Sequence, residues 1–239
     1  MNAVLRGDLR SRLSSPKAIT MHTIFLLGVA ILTYLVLPEI GRLDTLRQEG
    51  LLFVCVLVTT LLAMYFASSC ACGEIALEGE KSVWDLAATS LPAGTVAVGK
   101  VLSASALATV QMVLASPLLA AIAGIRGESL MILWQVGFVA IPAATAVGTA
   151  GALYSALWDS DFARSFVHWM TLLAIVVGAN ALPSPWNAVS PVQALAITLR
   201  EGTVFPAPLA AAAYLTIAIG CAIAIRQRVD AIRREAHAA

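Results

Sequence analysis

The sequence predicts an all-α integral membrane protein of six transmembrane helices. An amphipathic helix is expected before the first span, and a short amphipathic helix between the second and third. Three observations carry this. Hydrophobic residues fill 59% of the 239 positions and charged residues only 12%, against roughly 25% charged in an ordinary soluble domain. Mean hydropathy is +0.86. The apolar residues fall into six runs, and a helix that crosses the hydrocarbon core needs ~20 of them. A backbone in lipid has to satisfy its own hydrogen bonds, so each run reads as helix.

The runs cover 19–37, 51–71, 96–122, 130–158, 162–181 and 206–225. The first has a basic flank, as a signal peptide does. However, Pro38-Glu39-Ile40-Gly41-Arg42 follows it with no small-x-small cleavage pattern, so it reads as a span. The gaps between runs are too short for a soluble catalytic domain. The composition excludes an ordinary cytosolic enzyme, a disordered regulator and a disulfide scaffold. A net charge of +1, with no basic face outside the spans, excludes a nucleic-acid binder.

Basic residues set the orientation. Eleven Lys and Arg fall on the side of the N-terminal segment, the second and fourth loops and the C-terminal tail. Arg42, Arg47, Arg126 and Arg200 fall on the other. The positive-inside rule then places both termini in the cytoplasm, and the even span count agrees.

The second loop is therefore cytoplasmic, yet it carries Glu74, Glu78, Glu80 and Asp85. Ser82 and Asp85 make an S-x-x-D helix start, and Pro92 a stop. Between them Trp84, Ala87, Ala88 and Leu91 follow i, i+3, i+4, i+7, an apolar stripe with Lys81, Asp85 and Thr89 opposite. Such a helix can lie in the lipid interface or enter a groove on a soluble partner. The surrounding acid favours a protein partner, because anionic lipid repels it.

These residues resemble the signature of ABC-2 type exporter permeases. Glu74-x3-Glu78-x-Glu80-Lys81 leads into Val83-Trp84-Asp85-Leu86, then Leu91-Pro92, and Gly99-Lys100 opens span three. Leu5, Leu9 and Leu13, with Arg6, Arg10 and Arg12 before Pro16, look like that family's interfacial elbow helix. The stretch 182–191 with its late Ser190-Pro191 looks like the family's outer segment. The loop departs from the family where Gly73 and Gly79 replace an Arg-rich run. The resemblance implies an elbow over 1–18, a permease domain over 19–226 and a basic cytoplasmic tail over 227–239. Within the permease domain it implies a coupling element over 73–95 and an extracytoplasmic segment over 182–205. It further implies an ATPase-docking surface of Glu74, Glu78, Glu80, Lys81, Val83, Trp84, Asp85, Leu86 and Leu91. The partners implied are two cytoplasmic ABC ATPase subunits, which hold the ATP and magnesium, and a second copy of the permease or a homologous one. The setting implied is the bacterial inner membrane. Heme-exporter permeases of cytochrome c maturation share much of the pattern. A non-transporting scaffold subunit that holds a soluble partner by the same loop is the alternative from a different class.

Gly94-Thr95-Val96-Ala97-Val98-Gly99-Lys100 fits G-x4-G-K, but Val101 stands where a phosphate loop needs Ser or Thr, and no strand precedes it. Lys100 is expected instead to snorkel to the headgroups. No Asp, Glu, Lys or Arg lies in the middle of a run, so no proton relay is built in and any driving force comes from a partner. Cys70-Ala71-Cys72 with His168 and His22 admits a metal or heme site, though packing thiols are the plainer reading. Among the polar residues of the spans (Thr59, Thr60, Ser68, Ser69, Gln111, Gln135 and Asn180), Thr59 and Gln111 are candidates to line a path between two subunits, against interhelical hydrogen bonding for all. Ala144, Gly148, Ala152 and Ser155 form a small-residue row for close packing. No catalytic residue, and no cofactor or metal site within the chain itself, is expected.

Overall fold

A computed structural model describes residues 3–36, 50–75, 81–183, 186–201 and 206–238, and every regular element among them is helical. Helix α1 (Ala3–Ser14) is followed after one residue by α2 (Pro16–Val36). The Ser15 hydroxyl accepts from the Ala18 amide at 3.1 Å, and Pro16 takes the first helical position, where its missing N–H costs nothing. Then come α3 (Leu51–Cys72), the short α4 (Val83–Ala87), α5 (Ala93–Arg126), α6 (Met131–Leu157) and α7 (Asp161–Val176). Two 3-10 turns, Gly178–Ala181 and Trp186–Val189, lead to α8 (Pro191–Glu201) and α9 (Pro206–Ala238).

Six helices are long and apolar enough to cross a membrane: α2, α3, α5, α6, α7 with its 3-10 extension, and α9. They match the six apolar runs. Two run further than hydropathy alone suggests. α5 starts at Ala93, and α9 continues to Ala238, so the basic tail expected from 227 is the last third of the sixth spanning helix. The expected phosphate-loop look-alike, 94–100, is plain helix in the first turns of α5. Pro117 in α5 and Pro142 in α6 are accommodated inside their helices, as neighbouring helices allow in a membrane bundle.

The bundle is built around α6. Of its apolar stretch 72% is buried, against 11% for α7. α6 can sit at the centre because its facing residues are small. Ala143, Ala144, Gly148, Ala152 and Ser155 are all buried. A Cβ on Gly151 would stand 2.7 Å from the Ser68 carbonyl oxygen, and one on Gly148 3.0 Å from the Ala104 Cβ. α3 therefore meets α6 backbone to backbone and α5 meets it at Ala104, close approaches that only small residues permit. Gly127 ends α5 at φ 74 with Glu128 N donating to Ala123 O at 2.9 Å and Gly127 N to Gly124 O at 3.1 Å. That pair of bonds is a Schellman cap, and the left-handed residue in it suits glycine.

Two ends of the bundle differ in kind. At one end α1, α4, the start of α5 and the ends of α6 and α9 share a second apolar cluster of Val4, Val83, Leu86, Val96, Ile225 and Val229. At the other, α8 and the second 3-10 turn pack against the start of α9, where the Tyr214 hydroxyl donates to Val189 O at 2.8 Å. Replacing Gly151 tests the close approach. Gly151→Ala is expected to cost about 1–3 kcal/mol of stability through forced backbone displacement. Gly137→Ala, whose Cβ meets only the flexible tip of Ile141 at 3.9 Å, is expected to leave thermal unfolding in detergent unchanged.

Candidate functional site

The residues that the sequence groups as a docking element lie at the α4 end. Glu78 and Glu80 fall outside the described residues. For the rest, the local start is as the S-x-x-D pattern predicts. The Ser82 hydroxyl accepts from the Asp85 amide at 3.1 Å, and the Asp85 carboxylate accepts from the Ser82 amide at 3.1 Å and its hydroxyl at 2.9 Å. That is a capping box.

The helix is shorter than the Ser82-to-Pro92 spacing suggests. It ends at Ala87. The Thr89 amide and hydroxyl both go to Leu86 O, at 3.1 and 2.6 Å, and that side-chain competition stops the i→i+4 ladder. The apolar face also differs. Val83, Leu86 and Ala87 are buried in the bundle, Trp84 and Leu91 are half-buried, and Lys81, Asp85 and Ala88 are exposed. Val83 and Leu86 therefore anchor the segment and offer no side chain to a partner. Its exposed residues are Lys81, Asp85, Ala88 and Ser90.

Three cations hold the segment's carbonyl oxygens and ring. Arg233 of α9 donates to Ala87 O at 3.0 Å, Thr89 O at 2.9 Å and Leu91 O at 2.6 Å. Arg228, one turn earlier, lies 5.1 Å over the Trp84 ring and donates to Ala156 O at 3.3 Å. A guanidinium there is a cation–π partner for the indole. The Trp84 N–H is buried and meets no acceptor among the described residues, so Trp84 acts through its ring. At the segment's start the Lys100 ammonium donates to Lys81 O at 2.8 Å.

Lys100 does not snorkel. It is 5% exposed and its ammonium lies 2.9 Å from the Asp8 carboxylate, itself 4% exposed. The position in the first turns of α5 is below the surface because α1 lies across it, and a buried ammonium needs its counter-charge there. The face of α1 that packs inward is largely polar. Val4, Asp8, Ser11 and Arg12 are buried, while Leu13 of the expected apolar stripe is 45% exposed. The His22 ring donates to Arg12 O at 2.9 Å and ties α1 to α2. Leu5 and Leu9 are half-buried, at the edge of the packed polar face.

Beside α4, cavities of about 160 and 280 Å³ share Cys72, Gly73 and Arg164. Lys81, Asp85 and Lys100 are among the residues that line the first, and Glu74, Asp161 and Ser165 complete the second. Arg164 pairs with Asp161 and donates to Cys72 O at 3.3 Å. Ser160 accepts from the Ala163 amide at 3.5 Å and is the cap of α7, with Asp161 in its first turn.

Glu74 points back at the bundle. Its carboxylate accepts from the Ser69 hydroxyl at 2.9 Å and lies 4.0 Å from His168 Nε2. His168 is fully buried, with Nε2 3.5 Å from the hydroxyls of Ser68 and Ser69. Ser68 donates to Met64 O and Ser69 to Glu74, so both hydroxyl protons are used. The ring therefore donates from Nε2 toward the two serine oxygens, and Nδ1 meets no partner among the described residues.

The Cys70 thiol donates to the Met21 sulfur at 3.2 Å and the Cys72 thiol to Ser69 O at 3.6 Å. Among the described residues no three His, Cys, Asp or Glu side chains are placed to hold a metal. The two path-lining candidates are also inside. Thr59 is fully buried and donates to its own helix at Cys55 O, 2.7 Å. Gln111 is fully buried too, and its amide meets no partner among the described residues. Neither side chain reaches the outer surface of the bundle, because the small residues of α6 let the helices close over them.

No family model and no curated protein matches the chain.

Breaking the α1–α5 pair leaves a buried charge alone. Lys100→Met or Asp8→Leu alone is expected to cost about 3–5 kcal/mol, and the two together much less. Thermal unfolding of the four proteins in one detergent measures this as a double-mutant cycle.

Proposed function

We propose that the chain is the membrane-spanning permease subunit of an ABC-type exporter, paired with a second permease and driven by two cytoplasmic ATPase subunits. The observation that supports it most is the mounting of the 81–91 segment. A coupling element has to pass a displacement into the spanning helices. Here a short capped helix is fixed to α5 through Lys100, to α9 through Arg233 and Arg228, and to the end of α6 through Arg228. A push on α4 therefore acts on three spanning helices together. Lys81, Asp85, Ala88 and Ser90 are the surface it offers.

Three other features favour the reading. The resemblance of 74–100 to the ABC-2 permease signature supplies the family expectation. The middles of the spans carry no Asp, Glu, Lys or Arg to harness an ion gradient. α7 turns Phe162, Phe166, Trp169 and Leu173 outward, a face that a second permease could cover. In this reading α1 is the elbow, its leucines in the interface and its polar face locked to Lys100. The α4 end is cytoplasmic and α8 belongs to the extracytoplasmic side. The few polar groups in the spans suit a lipid-like or otherwise hydrophobic substrate.

The test is purification of the tagged protein from its native host in mild detergent, with mass spectrometry of what accompanies it. A Walker-motif ATPase is expected. Ala88→Arg is expected to weaken its retention and its stimulation roughly tenfold, which is ~1.4 kcal/mol. Ala88 is exposed, so that variant leaves the mounting intact. Changing Trp84 and Asp85 instead removes the Arg228 contact and the helix cap. Recovery in a stable assembly of other membrane subunits, with no ATPase, overturns the proposal and favours a scaffold.

A further inference from the structure

We infer that α9 is a transmission rod, which couples the 81–91 segment at one end of the bundle to the 186–195 segment at the other. The inference goes beyond the exporter reading and does not depend on it. Its basis is that one helix makes directional hydrogen bonds to backbone outside the long helices at both ends. Arg233 bonds three carbonyl oxygens of the 87–91 stretch. Tyr214 bonds Val189 O at 2.8 Å, its side chain only 1% exposed. Both contacts are to segments outside long helices, whose conformation is held by what they bond.

The shaft between them is stiff. Tyr214 and Arg233 are 19 residues apart in a single helix, or ~28 Å at the helical rise. Helices kink at proline, at Gly/Ser pairs or at bulges. Between 214 and 233 there is no proline, and Gly220 stands alone beside Cys221. The helix can therefore shift or turn as one piece. Its packed face allows that. Ala207, Ala210, Ala211 and Ala218 make up most of its buried side chains before Ile225. Such shallow surfaces resist sliding less than interlocked large ones do. A displacement of Arg233 with the 87–91 carbonyls then appears at Tyr214 and at the Val189 carbonyl.

Arg233 and Tyr214 are thus positioning residues for opposite ends of one element, and coupling through such an element is reciprocal. The test is hydrogen exchange by mass spectrometry on the full chain in lipid nanodiscs, with no ATPase or substrate. Arg233→Ala is expected to speed exchange at least roughly threefold in 86–91 and also in 188–195. Tyr214→Phe, which removes one hydroxyl, is expected to do the same at both ends. Arg233→Lys keeps the charge with fewer aligned donors, and is expected to fall between wild type and Arg233→Ala. Exchange in 140–150, at the centre of α6, is expected to stay unchanged in all three. An effect confined to the mutated end, no effect in 86–91, or a rise that includes 140–150 overturns the inference. Because the readout needs no transport, its failure leaves the exporter proposal standing, and failure of the copurification leaves the rod standing.

Discussion

Carbonyl oxygens without a helix to bond them are what this bundle is organised around at its α4 end. The stretch 81–91 breaks the regular ladder, so its oxygens need donors from elsewhere. Lysine and arginine supply them: Lys100 at Lys81, and Arg233 at Ala87, Thr89 and Leu91. Each donor is a cation, and charge-assisted bonds of this kind are stronger than those between neutral groups. The rest follows from placing those cations. Lys100 is below the surface and needs Asp8, so α1 has to lie across α5 with its polar face inward. Arg233 has to reach the segment, so α9 has to continue well past its apolar part.

The inner bundle obeys a different constraint. Around α6 the helices approach until backbone touches backbone at Gly151 and Ser68. That contact tolerates no side chain. Elsewhere on α3 and α5, Thr59 and Gln111 are fully buried. α7 stands outside the constraint. Among its described residues only His168 and Leu172 are buried, and His168 is held by hydroxyls whose protons are committed elsewhere. The bundle thus divides into a tightly packed inner group and a loosely attached outer helix.

The spans were legible in the sequence because lipid imposes one rule on every residue within them. Apolar runs of sufficient length mark the helices, and small residues at 144, 148, 152 and 155 mark the tight face. The start of α4 was legible too, since a capping box is local. Its end was not. Arg233 lies 142 residues from Leu91 in sequence, and an arginine bonding backbone carbonyls leaves no pattern at the acceptor positions. Asp8 and Lys100, 92 residues apart, pair for reasons that neither neighbourhood displays. The leucine spacing of α1 likewise carried no sign of the buried ion pair that fixes which face of that helix turns to the bundle. Local rules thus located the elements, and the long-range cation contacts that assemble the candidate site had to be seen.

The length of α9 also sets a height. With 207–225 in the hydrocarbon core, Arg233 stands eight residues past its edge, or ~12 Å at the helical rise. Headgroups extend only ~5–8 Å beyond the core on each side. For a helix standing along the membrane normal, the segment held by Arg233 would then ride at the outer limit of the lipid surface. Under the exporter proposal, a soluble protein would meet Lys81, Asp85 and Ala88 from the water. The ionic strength dependence of such an encounter would report the charges of the two proteins rather than those of the bilayer.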